Sequence, residues 1–207
     1  MRRIGVFGGT FDPPHLGHLA LAEWAWARLR LDRVLFVPAG APPHKRGRRL
    51  SDPAHRLAMV RLAVRGNPAF AVSDLEALRT GPSYTVDTLR ALRARHPGAR
   101  LFLLMGADSL SEFPTWREPA AIARLATLVV AARPGPGARV SRGGARKPAR
   151  PARLPRGARV VRLDNPLVDV SASVLRARAR ARLPLRYLVP DAVAAYLERH
   201  GLYRKGA

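Results

Sequence analysis

The chain of 207 residues has no cysteine, which excludes a disulfide framework and any thiolate metal site and fits a reducing cytoplasm. Acidic residues are scarce: 14 Asp and Glu stand against 37 Lys and Arg, for a formal charge of +23. Long apolar runs are missing too, and stretches such as Leu125 to Ala132 fall far short of the roughly 20 residues that span a bilayer. After Arg2 and Arg3 comes a short apolar run and a glycine turn instead of the long apolar region of a secretory leader. These absences point to a soluble, cytoplasmic protein with no membrane partner.

The basic excess is concentrated. Residues 133–186 hold 15 of the 37 basic residues and only 2 of the 14 acidic ones. Nearly all are arginine amid alanine and proline, a pattern that a biased coding composition also produces. A solvated surface is therefore favoured over a dedicated nucleic-acid site, and no specific nucleic-acid partner is expected beyond weak, salt-sensitive adhesion. Within this region, residues 134–157 contain 10 Pro and Gly in 24 positions and no acid. Such a segment buries too little apolar surface to offset its ordering entropy, so a flexible insertion is expected there.

Short β-rich runs alternate with longer helical patterns along the rest of the chain. Strands are expected at Arg3 to Gly8, Arg33 to Pro38, Phe70 to Ser73, Leu101 to Gly106, Leu128 to Ala132 and Arg159 to Leu163. Helices are expected at Leu16 to Leu29, Pro53 to Arg65, Tyr84 to Arg95, Pro119 to Ala126, Ala172 to Arg182, and Asp191 to His200 before Gly201. That order predicts one α/β domain over residues 1–207: a Rossmann-like open parallel sheet with crossover helices and a small C-terminal helical part. Nothing in the pattern fixes an oligomeric state, and a homo-oligomer remains open.

Gly8 to His18, GGTFDPPHLGH, lies between the first strand and the first helix. A strand that turns through glycines into a helix start suits a phosphate, because small residues allow close approach and unpaired N–H groups favour negative charge. Gly8, Gly9, Thr10 and Phe11 would meet the anion through backbone and hydroxyl, while His15 and His18 donate hydrogen bonds to it. An anion bound there favours protonated imidazole. Asp12 reads more readily as a turn carboxylate bonding its own backbone than as a magnesium ligand.

This stretch resembles the signature of the HxGH nucleotidyltransferase superfamily, with His15, Leu16, Gly17 and His18 in the diagnostic places. The resemblance implies ATP binding, with His15 and His18 steadying charge at the α-phosphorus. A second stretch, Val168 to Arg178, resembles that superfamily's ISSTxIR motif. It has Ala172 where serine is usual and Ser173 where threonine is usual. The resemblance places Ser171, Ser173 and Arg176 on the ATP phosphates and Arg176 among the catalytic residues beside the histidines. From its residues alone, the same stretch reads equally well as a capped helix with a surface arginine.

Three middle stretches resemble bacterial nicotinate-nucleotide adenylyltransferases in particular: PPHK at Pro42 to Lys45, SYTVDTL at Ser83 to Leu89, and MGADSLSEFPTW at Met105 to Trp116. This implies an acceptor site built from Lys45, Tyr84, Thr85, Asp108 and Trp116. Tyr84 and Thr85 open a helix whose positive end suits a pyridine carboxylate, and Trp116 can stack on the ring. Taken singly, Thr85 as a cap, Trp116 as packing and Lys45 as a loop charge are equally good readings. The implied reaction transfers the adenylyl group of ATP to nicotinate mononucleotide, giving deamido-NAD and pyrophosphate in NAD biosynthesis. Mg²⁺ is implied through the ATP phosphates, with no protein metal ligands. A sister enzyme acting on nicotinamide mononucleotide or phosphopantetheine is the alternative, and an arginine-rich nucleic-acid-binding protein is the alternative from a different class.

Overall fold

The computed structural model describes residues 1–42, 50–131 and 153–204. Lys45 and most of the expected insertion at 134–157 lie outside the described residues. The described elements run β1 (Arg3–Gly9), α1 (Leu16–Arg28), β2 (Arg33–Pro38), α2 (Pro53–Ala63), β3 (Phe70–Val72), α3 (Thr85–Arg95), β4 (Arg100–Gly106), α4 (Ala107–Glu112), α5 (Pro119–Leu125), β5 (Ala126–Ala131), β6 (Val160–Leu163), α6 (Ala172–Arg180) and α7 (Asp191–Arg199). A single 3₁₀ turn, Phe113–Thr115, follows α4.

All six strands pair in parallel in the order β3-β2-β1-β4-β5-β6. Connections leave β1 toward one edge and β4 toward the other, so a crevice opens beyond the C-terminal ends of these neighbours. The period of two sorts the side chains. Ile4 and Val6 of β1 join Leu101, Leu103 and Met105 of β4 in a core with Val86, Leu89 and Leu92 of α3 and Ile122 of α5. Phe7, Phe102 and Leu104 face the other way, against Ala22 and Ala25 of α1 and Val60 of α2. Strands covered on both faces explain why β4 reads as an unbroken apolar run from Leu101 to Met105. Burying each of its large side chains stabilises the fold by about 1.5–3 kcal/mol.

A third cluster joins Met59 of α2, Leu175 of α6 and Val193 and Leu197 of α7. It seats the C-terminal helices against the same end of the sheet as the glycine turn. The fold departs from the expected elements at two places. The fifth strand begins at Ala126, directly after α5, because pairing with Leu101 of β4 recruits a residue of weak strand preference. The expected elements leave the stretch after β4 unassigned, yet Ala107 to Glu112 forms α4, with Leu110 buried to anchor it.

Candidate active site

A cavity of about 420 Å³ opens at the crevice beyond β1 and β4. Gly8, Gly9, Thr10, His15 and His18 form one wall, and Tyr84, Thr85 and Trp116 form another. Motifs separated by about a hundred residues of sequence therefore meet in one space.

The His15 and His18 rings stack with centroids 3.6 Å apart and 30° between planes. The backbone N–H of His15 donates to Nδ1 of His18 at 3.2 Å. A neutral His18 must then carry its proton on Nε2, which makes that nitrogen a donor. The Phe11 ring meets His18 edge-on at 5.0 Å and is itself only 2% exposed. Phe11 thus supports the histidines from the core, and its side chain is not on the cavity wall.

Glycine serves two purposes in this turn. A Cβ on Gly8 would meet nothing within 4 Å, whereas one on Gly9 would lie 2.8 Å from the Phe11 ring. Gly8 leaves the chain open to a ligand. Gly9 is required by its own neighbour.

The loop between β1 and α1 is held from three directions. Arg56, 1% exposed, sends its guanidinium to the carbonyls of Thr10 (3.1 Å), Gly40 (2.8 Å) and Ala39, and its Nε to Ser51 (2.9 Å). Burial pushes its pKa down while Asp12 opposes that shift. Asp12 is also buried. Its carboxylate accepts from Tyr203 Oη at 2.6 Å and the Ser51 N–H at 3.3 Å, which corrects the reading of it as a turn carboxylate bonding its own backbone. Its carbonyl accepts from Arg176 at 2.7 Å. Finally, the Leu16 N–H at the start of α1 donates to the carbonyl of Leu188 at 3.0 Å.

Ser171 caps α6, accepting from the Val174 N–H at 3.4 Å, and lies 3.1 Å from the Ser173 hydroxyl. Val168 and Val170 line the cavity, but Ser171, Ser173 and Arg176 do not. Arg176 reaches the histidine loop itself. Across the cavity, Tyr84 caps α3 in extended conformation, with the Arg117 guanidinium 4.7 Å above its ring. Trp116 packs against Phe113 with centroids 5.6 Å apart. Asp108 sits exposed in the first turn of α4, where Gly106 and Ser109 line the cavity and it does not.

Among the described residues, no three His, Asp, Glu or Cys side chains stand together as a metal site, and no helix is long and apolar enough to cross a membrane. Sequence reasoning missed Arg56, Tyr203 and Glu76. Arg56 had a readable signal: it lies three and four positions before Met59 and Val60, on the buried face of α2. Glu76, 7% exposed, lines the cavity and accepts from the Thr88 hydroxyl at 2.6 Å.

The cytidylyltransferase-like family model matches residues 6–178, from β1 through α6. The chain belongs to the cytidylyltransferase-like family. As a nucleotidyltransferase of that family it is an enzyme, and its relatives narrow the group further. It is 51% identical over 204 residues to a Thermomicrobium roseum protein named probable nicotinate-nucleotide adenylyltransferase, covering 99% of this chain and 92% of the relative. A Roseiflexus protein of the same name is 48% identical, covering 97% and 98%. The fold is that of the Plasmodium falciparum nicotinic acid mononucleotide adenylyltransferase solved in complex with NaAD, at a TM-score of 0.73 and 14% identity over 98% of both chains.

Proposed function

We propose that this cytidylyltransferase-like enzyme joins the adenylyl group of ATP to nicotinate mononucleotide, giving deamido-NAD and pyrophosphate. The observation that carries this reading is the shared cavity, with the stacked His15 and His18 on one wall and the first turn of α3 and Trp116 on the other. An oxygen of the acceptor's phosphate attacks the α-phosphorus in line. The bond from that phosphorus to the bridging oxygen breaks, and pyrophosphate leaves with the electron pair.

Little covalent chemistry is demanded of the protein, so its work is positioning and charge stabilisation. The Nε2 proton of His18 and the imidazole of His15 meet the oxygens that gain charge in the transition state. Gly8, Gly9, Thr10 and the backbone at Phe11 let the phosphates lie against the turn. Arg176 and the serines Ser171 and Ser173 at the start of α6 serve the far phosphates. One of Arg176's five N–H donors holds the Asp12 carbonyl, which leaves the others for the phosphates although the side chain does not line the cavity itself. The phosphates of ATP would carry Mg²⁺, which would offset their charge, while Asp12 is engaged by Tyr203 and Ser51.

At the acceptor end, the N–H groups of Tyr84 and Thr85 meet the pyridine carboxylate, Trp116 stacks on the ring, and Lys45 and Asp108, the latter in the first turn of α4, complete the acceptor set. A supply of ATP as co-substrate supports a cytoplasmic enzyme. The test is pyrophosphate release from Mg·ATP with nicotinate mononucleotide, nicotinamide mononucleotide and phosphopantetheine compared side by side. The nicotinate compound is expected to give the highest kcat/KM, and a preference for phosphopantetheine would reassign the acceptor.

A further inference from the structure

Glu76 is a carboxyl group in an unusual place. It is 7% exposed, lines the cavity, and among the described residues has no ion pair within 4 Å. Its Oε1 takes the Thr88 hydroxyl at 2.6 Å. Thr88 lies one turn along α3 from Tyr84, and its hydroxyl also stands 3.4 Å from the Tyr84 carbonyl. The backbone around Glu76 is fixed as well: a Cβ on Gly40 would come 2.2 Å from the Glu76 carbonyl oxygen. Ser83, next to Tyr84, accepts the Gly40 N–H at 3.2 Å. The carboxyl is therefore held rigidly beneath the turn that the proposed function assigns to the acceptor's pyridine group.

Burial raises the Glu76 pKa above the ordinary glutamate value. The hydroxyls of Thr88 and Ser83 and the charge of Arg79 pull it down, and burial outweighs them. Other ionisable groups on the cavity wall are His15 and His18 at the phosphate end, Tyr84 on the acceptor wall, and Glu112 and Arg117 at the far rim. Arg117 lies 3.9 Å from Asp87. Two carboxylates sharing one poorly solvated cavity raise each other's pKa, whereas a carboxamide ligand exerts no such effect.

We propose that Glu76 determines acceptor specificity, its neutral acid form admitting a pyridine carboxylate and its ionised form opposing that anion while leaving the amide nearly unaffected. The inference rests on the acceptor assigned above. By linkage, the nicotinate ligand must bring a proton onto Glu76 when it binds above the pKa of that group, and the nicotinamide ligand must not.

The experiment has two readouts on the intact protein. Calorimetry in buffers of differing ionisation enthalpy measures proton uptake on binding nicotinate mononucleotide and nicotinamide mononucleotide. Steady-state assays measure the acid-to-amide ratio of kcat/KM from mildly acidic to mildly alkaline pH. Effects of the histidines on groups common to both acceptors cancel in that ratio. In the native enzyme the ratio is expected to fall roughly tenfold as pH rises, equal to a one-unit mutual shift of the two carboxylates, with proton uptake for the acid alone. In Glu76→Gln, which keeps an oxygen for Thr88, the ratio is expected to stay flat with no excess proton uptake. Native binding of both mononucleotides with a flat ratio and no proton uptake overturns the inference and leaves the acceptor reading intact. Failure of nicotinate mononucleotide to bind overturns both, whereas failure of the amide alone leaves the acceptor reading intact and the inference to be decided by proton uptake with the acid, whose absence overturns it. The native measurements decide the matter even where the variant does not fold.

Discussion

Arg176 and Asp12, 164 positions apart in the chain, are joined by a 2.7 Å hydrogen bond from the guanidinium to the backbone carbonyl. The bond ties α6 to the loop that ends in His15. Under the proposed function Arg176 would act twice, on the loop through this bond and on the nucleotide through its remaining N–H donors. Replacing it with lysine keeps the charge but loses the planar fork, so one ammonium must choose between carbonyl and phosphate. Arg176→Lys is expected to raise the KM for ATP roughly tenfold, about 1.4 kcal/mol, with the acceptor KM unchanged in initial-rate assays.

His18 offers a sharper test of charge stabilisation. Its Nε2 donor is fixed by the 3.2 Å bond that Nδ1 accepts from the His15 N–H. Interactions that strengthen only in the transition state appear in kcat. His18→Ala is expected to lower kcat by about 10²–10³-fold, the loss found when one such donor is removed, while calorimetry finds ATP affinity nearly unaltered. Equal turnover would remove His18 from the chemistry.

Trp116 separates the two substrates. Its ring faces the cavity from the wall opposite the histidines and leans on Phe113. Stacking is worth about 0.5–1.5 kcal/mol. Trp116→Ala is expected to raise the acceptor KM about 2–10-fold without changing that for ATP, and Trp116→Phe to restore most of the loss.

Tyr203 links pH to stability. Its hydroxyl donates to the buried Asp12 carboxylate at 2.6 Å, and burial first, then the Asp12 charge, raises the tyrosine pKa. A group whose folded pKa is raised contributes stability below its unfolded pKa and loses it as pH climbs. Tyr203→Phe is expected to cost about 1.5–3 kcal/mol near neutrality, the value of a hydrogen bond to a charged group. The gap to the native protein should narrow above about pH 10, where unfolded tyrosine ionises. Urea denaturation at neutral and alkaline pH measures both.

Gly40 tests the packing beneath the acceptor wall. The atom that a Cβ would strike at 2.2 Å is backbone, the Glu76 carbonyl, which cannot swing aside as a side chain does. Gly40→Ala is expected to destabilise the protein by about 1–3 kcal/mol, seen as a lower melting temperature, and to disturb acceptor binding more than ATP binding.

The extent to which the site was legible depended on the kind of signal. The β1 turn and the start of α1 announce themselves through an apolar run, glycines and a helical period, and the parallel sheet follows from the alternation of strands with helices, whereas the order of the strands comes from the fold. The first turn of α3 was readable for the same reason. For Arg56 only the buried face of α2 was readable, and the roles of Arg56 and Glu76 were not, because periodicity shows which face a residue occupies and says nothing of which carbonyls or hydroxyls will surround a polar group there. Helix α4 was missed because six residues are too few for a period to emerge. Phe11 was assigned to the ligand by its place in the motif. Only the fold shows that its ring fills the space that Gly9 leaves empty.

The bond from the Leu16 N–H to the Leu188 carbonyl has a consequence for biosynthesis. A nascent polypeptide that has left the ribosome only as far as β6 already carries both imidazoles and Arg56, but lacks Arg176, Leu188 and Tyr203, three further groups that anchor the segment between β1 and α1. The turn after β1 must therefore wait for α6 and the residues around α7 before it can take its working shape. Early emergence alone does not make an active enzyme.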